Sequence, residues 1–208
     1  MSAKKQTGKP KNKRARNSQS IQRTKKNKQA LNKLVRRKKR NRLFIEVICG
    51  MGLLILLIYA QSYFFFSLAK VDSYAMSPTL KLGEYVLIEK QAPIQRQAIV
   101  LIKRKSAQKS ELRRVIGLPT EKIAYQNDQL FINEEERAEP FIALEKKAAF
   151  ENGFVYTKDF SLYEVTGVET IPKDTYFVMG DNRLYSTDSR EYSVIKKEEI
   201  IGVVNTSR

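Results

Sequence analysis

The sequence predicts a mainly β domain outside a membrane, preceded by one transmembrane helix. Residues Val47–Ala69, "VICGMGLLILLIYAQSYFFFSLA", run for 23 positions without a charge. After Lys70 come short segments rich in Val, Ile, Tyr and Phe, separated by Gly, Pro, Asn and Asp. The charge is also split. Of the 39 Lys and Arg, 18 lie in residues 1–42, which hold no Asp or Glu, and the other 21 face all 22 acids. The net charge of +17 therefore belongs to the N-terminal segment.

Residues 1–30 are mostly Lys, Asn, Gln, Ser and Arg, a composition that cannot offset the entropy of ordering. Residues 1–42 are thus expected to form a basic, disordered tail. "QALNKLVRRKKRNRLF" reads either as the start of a helix entering the apolar span, with Leu31, Leu34 and Val35 on one side, or as a solvated basic run. A helix of about 20 residues crosses the roughly 30 Å hydrocarbon layer. Tyr59, Tyr63 and Phe64-Phe65-Phe66 gather toward the C-terminal end of the span, as interfacial aromatics do. A cleaved signal sequence shares the pattern, but its apolar core is usually about 7–15 residues. A permanent anchor over 43–69 is expected, with the tail cytoplasmic and residues 70–208 extracellular by the positive-inside rule. Attraction of the tail to anionic lipid accounts for its charge without nucleic acid.

The β segments are "YVLIEK", "AIVLIK", "LRRVIGL", "KIAY", "QLFI", "TYFVMG" and "IIGVVN". Turn residues separate them at Leu82-Gly83, Leu118-Pro119, Gln126-Asn127-Asp128 and Gly180-Asp181-Asn182. Helix is expected only around "FIALEKKAAFENG" and as a short turn near "SVIKKEEI". The lone cysteine, Cys49, lies in the apolar span, and the chain has no histidine. An intramolecular disulfide is ruled out, Ser-His-Asp and Cys-His catalysis are removed, and neither metal nor other cofactor is expected.

Five stretches occur in order behind the anchor: "AMSPTL", "GEYVLIEK", "RRVIGLP", "DQLFINEE" and "MGDNRLYSTDSREY". Over roughly residues 43–208 they resemble a type I signal peptidase of the Gram-positive kind. The resemblance implies a β-rich core, about 70–123 and 173–208, with a smaller β cap inserted at about 124–172. It also implies a Ser-Lys dyad, in which burial keeps a lysine neutral so that it can take the serine proton. The position of the family serine is Ala75 and that of the lysine is Arg113. Alanine offers no nucleophile, and a guanidinium cannot serve as a base.

The supporting positions persist. The resemblance makes Ser73 a hydroxyl donor for the oxyanion, Ser186 the lysine's contact, and Asp188 and Arg190 supports of the site. It makes Met76 and Pro78 substrate-facing, although such side chains equally well fill a β core. Gly180-Asp181-Asn182-Arg183 reads first as a tight turn. Ser77 is a substitute nucleophile only if a base stands beside it, and Lys81, Lys103, Lys105 and Lys109 are expected to be solvated and protonated. Thr120, Gln97-Ala98 and Ser193 stand where the family usually has Gly, Gly-Asp and Gly, as in a site released from chemistry. A permanent cation at Arg113 is expected to favour an acidic group or a partner's backbone carbonyls.

The resemblance implies a pseudoenzyme like the catalytically degenerate relatives of Gram-positive pilus clusters. These assist sortase-dependent pilus assembly, which points to a signal peptide or pilin-like client, the sortase machinery and the membrane as partners, and to no nucleic acid. The alternative is an active type I signal peptidase that removes signal peptides from secreted precursors.

Overall fold

The computed structural model describes residues 13–205, which divide into two compact units meeting between Ala60 and Gln61. Helix α1, from Lys13 to Phe65, supplies the described residues of the first unit, and its last five residues belong to the second. Over 13–42 this corrects the expected disorder, while residues 1–12 lie outside the described residues. Between Lys13 and Arg42 the sequence has no Gly or Pro, and its Lys, Arg, Gln and Ala are good helix formers. Backbone propensity therefore favours helix even without a core. Leu31–Phe65 contains an 18-residue stretch of mean hydropathy 2.5, long and apolar enough to cross a membrane.

The helix stops four residues short of the expected end at Ala69, because Phe66–Lys70 is strand β1. The β1 residues pair one for one with β2 (Tyr85–Glu89). Lys90 takes up two carbonyls of the last helical turn, its backbone N–H donating to Phe65 O and its Nζ to Tyr63 O, both at 2.9 Å.

The second unit holds two antiparallel sheets. Its remaining strands are β3 (Ile99–Ile102), β4 (Glu111–Gly117), β5 (Ile123–Gln126), β6 (Gln129–Ile132), β7 (Glu135–Arg137), β8 (Phe160–Ser161), β9 (Thr175–Met179), β10 (Ile195–Lys196) and β11 (Ile200–Val204). Its helices are α2 (Ala143–Glu151), α3 (Leu162–Thr166) and α4 (Ser189–Tyr192), with a short 3-10 turn at Lys197–Glu199. The larger sheet has the order β1-β2-β11-β3-β4-β9-β10 and the smaller β7-β6-β5-β8. Strands β4 and β9 are hydrogen-bonded neighbours, and the chain between them forms the whole of the smaller sheet. This is a β core with an inserted β cap.

The central strands are buried on both sides and alternate between two layers, as the period of two requires. Ile99 and Leu101 pack with Met76, Val86, Ile88 and Leu112. Val100 and Ile102 pack with Val115, Val178 and Ile195 on the other face. In the cap, Ile123, Tyr125, Leu130 and Ile132 share a cluster with Ile116, Phe177 and Met179 of the core. A Cβ at Gly117 would lie 2.3 Å from Ile123 Cδ1 and 2.5 Å from Ile171 Cδ1, so any larger residue there would push these two cap-side isoleucine tips aside. Two-residue turns at Asn127-Asp128 (φ 53° and 63°) and Asn133-Glu134 (φ 52° and 71°) close the cap hairpins.

Buried charge also joins cap and core. Arg183 donates to Gly180 O, Tyr125 Oη, Thr157 Oγ1 and, at 2.6 Å, Glu139 Oε1. Burial pushes the Tyr125 phenol well up, with Glu139 adding to the rise and Arg183 opposing it. A phenol whose folded value is raised favours the native state fully below the free-tyrosine value of about 10, and that contribution fades as pH climbs toward the folded value. Denaturant unfolding of the full chain in detergent should therefore show stability declining above about pH 10. Tyr125→Phe should flatten that decline, and an unchanged slope would contradict it.

Gln97 (φ 65°), Thr120 (φ 74°) and Ser193 (φ 69°) all sit in the left-handed region. These are the positions flagged in the sequence as standing where glycine is usual. That region favours glycine, and a β-branched side chain at Thr120 is the least suited to it. Such a conformation costs an L-residue about 1–2 kcal/mol, and glycine returns part of that as chain entropy, about 0.5–1 kcal/mol. Thr120→Gly should stabilise the protein by roughly 0.5–1 kcal/mol. A lower unfolding midpoint for this variant would contradict the assignment.

Candidate functional site

The "AMSPTL" stretch begins in a 3-10 turn, Tyr74–Met76, that buries Ala75 and Met76. Asn182 holds this turn from behind, its backbone N–H donating to Ala75 O at 3.0 Å and its Nδ2 to Tyr74 O at 3.2 Å. Gly180 permits the approach. A Cβ there would fall 2.1 Å from Ser186 Oγ and 2.6 Å from Ala75 O, so the turn, the end of β9 and Ser186 converge only because this residue has no side chain.

Around Ala75 opens a cleft of about 700 Å³, lined by Ser73, Tyr74, Arg113, Asn182, Tyr185 and Thr187 among others. Ser73 is exposed and lies at its edge, whereas Ser77 and Pro78 are not among its lining residues. Met76 is 1% exposed and belongs to the core cluster, with access only to a separate small cavity of about 160 Å³. No lysine lines the cleft, and Lys81, Lys103, Lys105 and Lys109 are exposed.

Arg113 is 5% exposed on β4. Its Nε and Nη2 donate to Thr187 O at 3.0 and 2.6 Å, and its Nη1 donates to Leu112 O at 2.6 Å. Nη2 also lies 3.1 Å from Glu111 Oε2. The acidic group and the carbonyls expected from a partner are thus supplied by the chain itself. Ser186, buried beside the cleft, has an Oγ without a hydrogen-bond partner.

Asp188 and Arg190 brace the loop that carries Ser186. Asp188 is fully buried and accepts from Gly180 N at 3.0 Å, while Arg190 donates to both of its carboxylate oxygens and to Arg183 O. The Gly180–Arg183 segment is more than the tight turn its residues suggest. Asp181 is fully buried and accepts from Arg114 Nε at 2.7 Å, Arg114 Nη2 at 2.5 Å and Thr79 Oγ1 at 2.5 Å. Tyr156 Oη donates to the Asp181 carbonyl.

Sequence reasoning missed the partners Glu111, Arg104, Glu139 and Tyr192. Only Glu111 left a readable signal, since two residues before Arg113 on a strand it must share its face. Burial pushes the Tyr192 phenol up, against the opposing charge of Arg113.

As built, the site offers a hydrogen-bonding cleft with a buried guanidinium at Arg113, an alanine at position 75 and, among the described residues, no lysine in its lining. Comparison with known proteins bears on what such a cleft descends from. Residues 44–207 match the family described as signal peptidase, peptidase S26. Signal peptidase I V of Bacillus subtilis (strain 168) is 43% identical over 140 residues, 65% of this chain and 82% of that protein. Signal peptidase I U of the same strain is 33% identical over 175 residues, 82% of this chain and 90% of that protein. A crystal structure of a signal peptidase I from Enterococcus faecalis V583 superposes with a TM-score of 0.51 at 35% identity, covering 55% of this chain and 98% of that one. The motif order, the core-and-cap topology and these matches agree, and the chain belongs to the type I signal peptidase family, peptidase S26.

Proposed function

We infer that this chain is a membrane-anchored signal peptidase-like protein that has lost peptide-bond hydrolysis. It holds peptide clients beside Ala75, signal peptide or pilin-like, and assists the assembly of surface proteins or pili together with sortase machinery. The observation that carries the reading is the pairing of Arg113 with Glu111 and the Thr187 carbonyl, next to an alanine at the nucleophile position. Hydrolysis by a dyad needs a neutral amine that can take a proton and a hydroxyl that, on giving it up, attacks the peptide carbonyl. Neither is present at the positions the family motifs assign.

Binding has different requirements. An extended client draws affinity from main-chain hydrogen bonds, and replacing a serine side chain by alanine leaves those donors and acceptors in place. The exposed rings of Tyr74 and Tyr185 at the cleft supply apolar area with a polar tip. The anchor is α1, with its basic segment on the cytoplasmic side and the β domain outside, as positive-inside orientation favours.

The test is incubation of the full chain in detergent with a precursor carrying a signal peptide, followed by mass spectrometry. The expected product is intact precursor. A new N-terminus after a small residue would overturn the reading in favour of an active peptidase, and loss of that cut on Ser77→Ala would place the nucleophile at Ser77. Tyr185→Ala should weaken retention of an immobilised signal peptide about tenfold, the range of an interface anchor, and should leave the unfolding midpoint unchanged because the side chain is 80% exposed. Ala75→Ser should leave retention intact. Unaltered retention by Tyr185→Ala would place clients on another surface.

A further inference from the structure

Residues Glu111 and Arg113 lie two apart on β4, in a register fixed by the Leu101↔Leu112 and Val100↔Arg113 pairs with β3, so their side chains share one face. On that face Glu111 serves two cations. Its Oε1 accepts from Arg104 Nη2 at 2.7 Å, and its Oε2 lies 3.1 Å from Arg113 Nη2, an ionic contact without hydrogen-bond geometry. Arg104 is in turn stacked 3.9 Å over the Tyr192 ring. The side chains of Arg113, Arg104 and Glu111 are 6%, 18% and 23% exposed, so water screens these contacts weakly.

The other charged groups nearby are committed or solvated. Asp188 is engaged by Gly180 N and Arg190, and Asp72, at the rim of the cleft, is exposed. Lys70 and Lys109 share a small cavity with Glu111 and are exposed. Among the described residues, Glu111 is the carboxylate that pairs with Arg113.

We propose that Glu111 is a positioning residue: together with Arg104 it holds the Arg113 guanidinium on the Thr187 carbonyl, with Ser186 Oγ left without a partner, and it would hold the proton of any amine placed at position 113. This rests on reading Arg113 as the base position of the family. A lysine acts as a base only where its neutral form is favoured, and a carboxylate about 3 Å away favours the ammonium instead. The loss of chemistry then has three determinants on this chain: a missing nucleophile at Ala75, a missing base at Arg113, and a carboxylate at Glu111 that would disable a restored base.

The test compares Arg113→Lys with Arg113→Lys/Glu111→Gln in the full chain in detergent. Competitive acetylation across about pH 6–11, read by mass spectrometry on the peptide spanning position 113, gives the titration midpoint of the introduced amine. Adding Glu111→Gln should lower that midpoint by about one unit or more, the effect of removing an adjacent opposite charge. Arg113→Lys/Glu111→Asp, which keeps the charge, should return it toward the single variant, a distinction that packing alone would not produce. Equal midpoints in the lysine variants with and without Glu111→Gln, or no labelling in either, overturn the proposal. Cleavage of a precursor by the wild-type chain would overturn the inferred loss of activity while leaving these midpoints unmoved, so the two failures are separable.

Discussion

Two buried ion pairs, Arg114–Asp181 and Arg183–Glu139, meet within the Gly180–Arg183 segment, and the placement of cap, core and cleft depends on them. Arg183 carries side-chain exposure of 0% and Glu139 of 1%, and Asp181 is equally hidden. Charges taken out of water cost several kcal/mol each, on the order of what a good pairing returns, and stripping one partner leaves about 3–5 kcal/mol uncompensated. The chain therefore satisfies these groups completely. Arg183 reaches Gly180 O, Tyr125, Thr157 and Glu139, and Arg114 reaches Asp181 and Gln97 O while covering the Phe141 ring. The contacts to Tyr125, Thr157, Glu139 and Arg114 join elements far apart in sequence, so the segment cannot move without stranding a charge.

That constraint explains why the cleft keeps its shape. Asn182 holds the Tyr74 and Ala75 carbonyls, and Gly180 lets Ala75 and Ser186 approach. These contacts are made by backbone and by residues outside the dyad, so they persist with Ala75 and Arg113 in place. Gln97 and Thr120, two of the non-glycine residues at positive φ, fit the same account. Gln97 still offers its carbonyl to Arg114 and Thr120 still donates to Ile171 O at 2.7 Å, so the surrounding hydrogen bonds hold each residue where its own steric preference does not.

Much of this was legible in the chain. The β segments, the turns at Asn127-Asp128 and the helix around residues 143–151 follow from alternation, turn chemistry and propensity, which are local. The assignment of Ala75 and Arg113 to the dyad positions rests on the family resemblance of five ordered motifs. Residues 13–42 of the tail were misread because low hydrophobicity argued for disorder while the lack of Gly and Pro over that stretch favoured helix, and composition does not rank the two. The helix end was misplaced because "SLA" is as apolar as the span before it. What ends the helix is pairing with Tyr85–Glu89 and the reach of Lys90, both non-local. The buried network was hidden for the same reason. Glu139 lies 44 positions from Arg183 and Asp181 lies 67 from Arg114, and nothing in either neighbourhood marks the partner. Met76 was a substrate-facing candidate by motif, yet its side chain is held in the core with Ile88 and Leu101.

The central claim is that this cleft holds a peptide without cutting it. The direct measurement is the fluorescence anisotropy of an end-labelled signal peptide mixed with the full chain in detergent and followed over time. The account predicts a saturable rise that then stays constant, reversed only by unlabelled peptide. A rise that decays on its own as a short labelled fragment is released would contradict it.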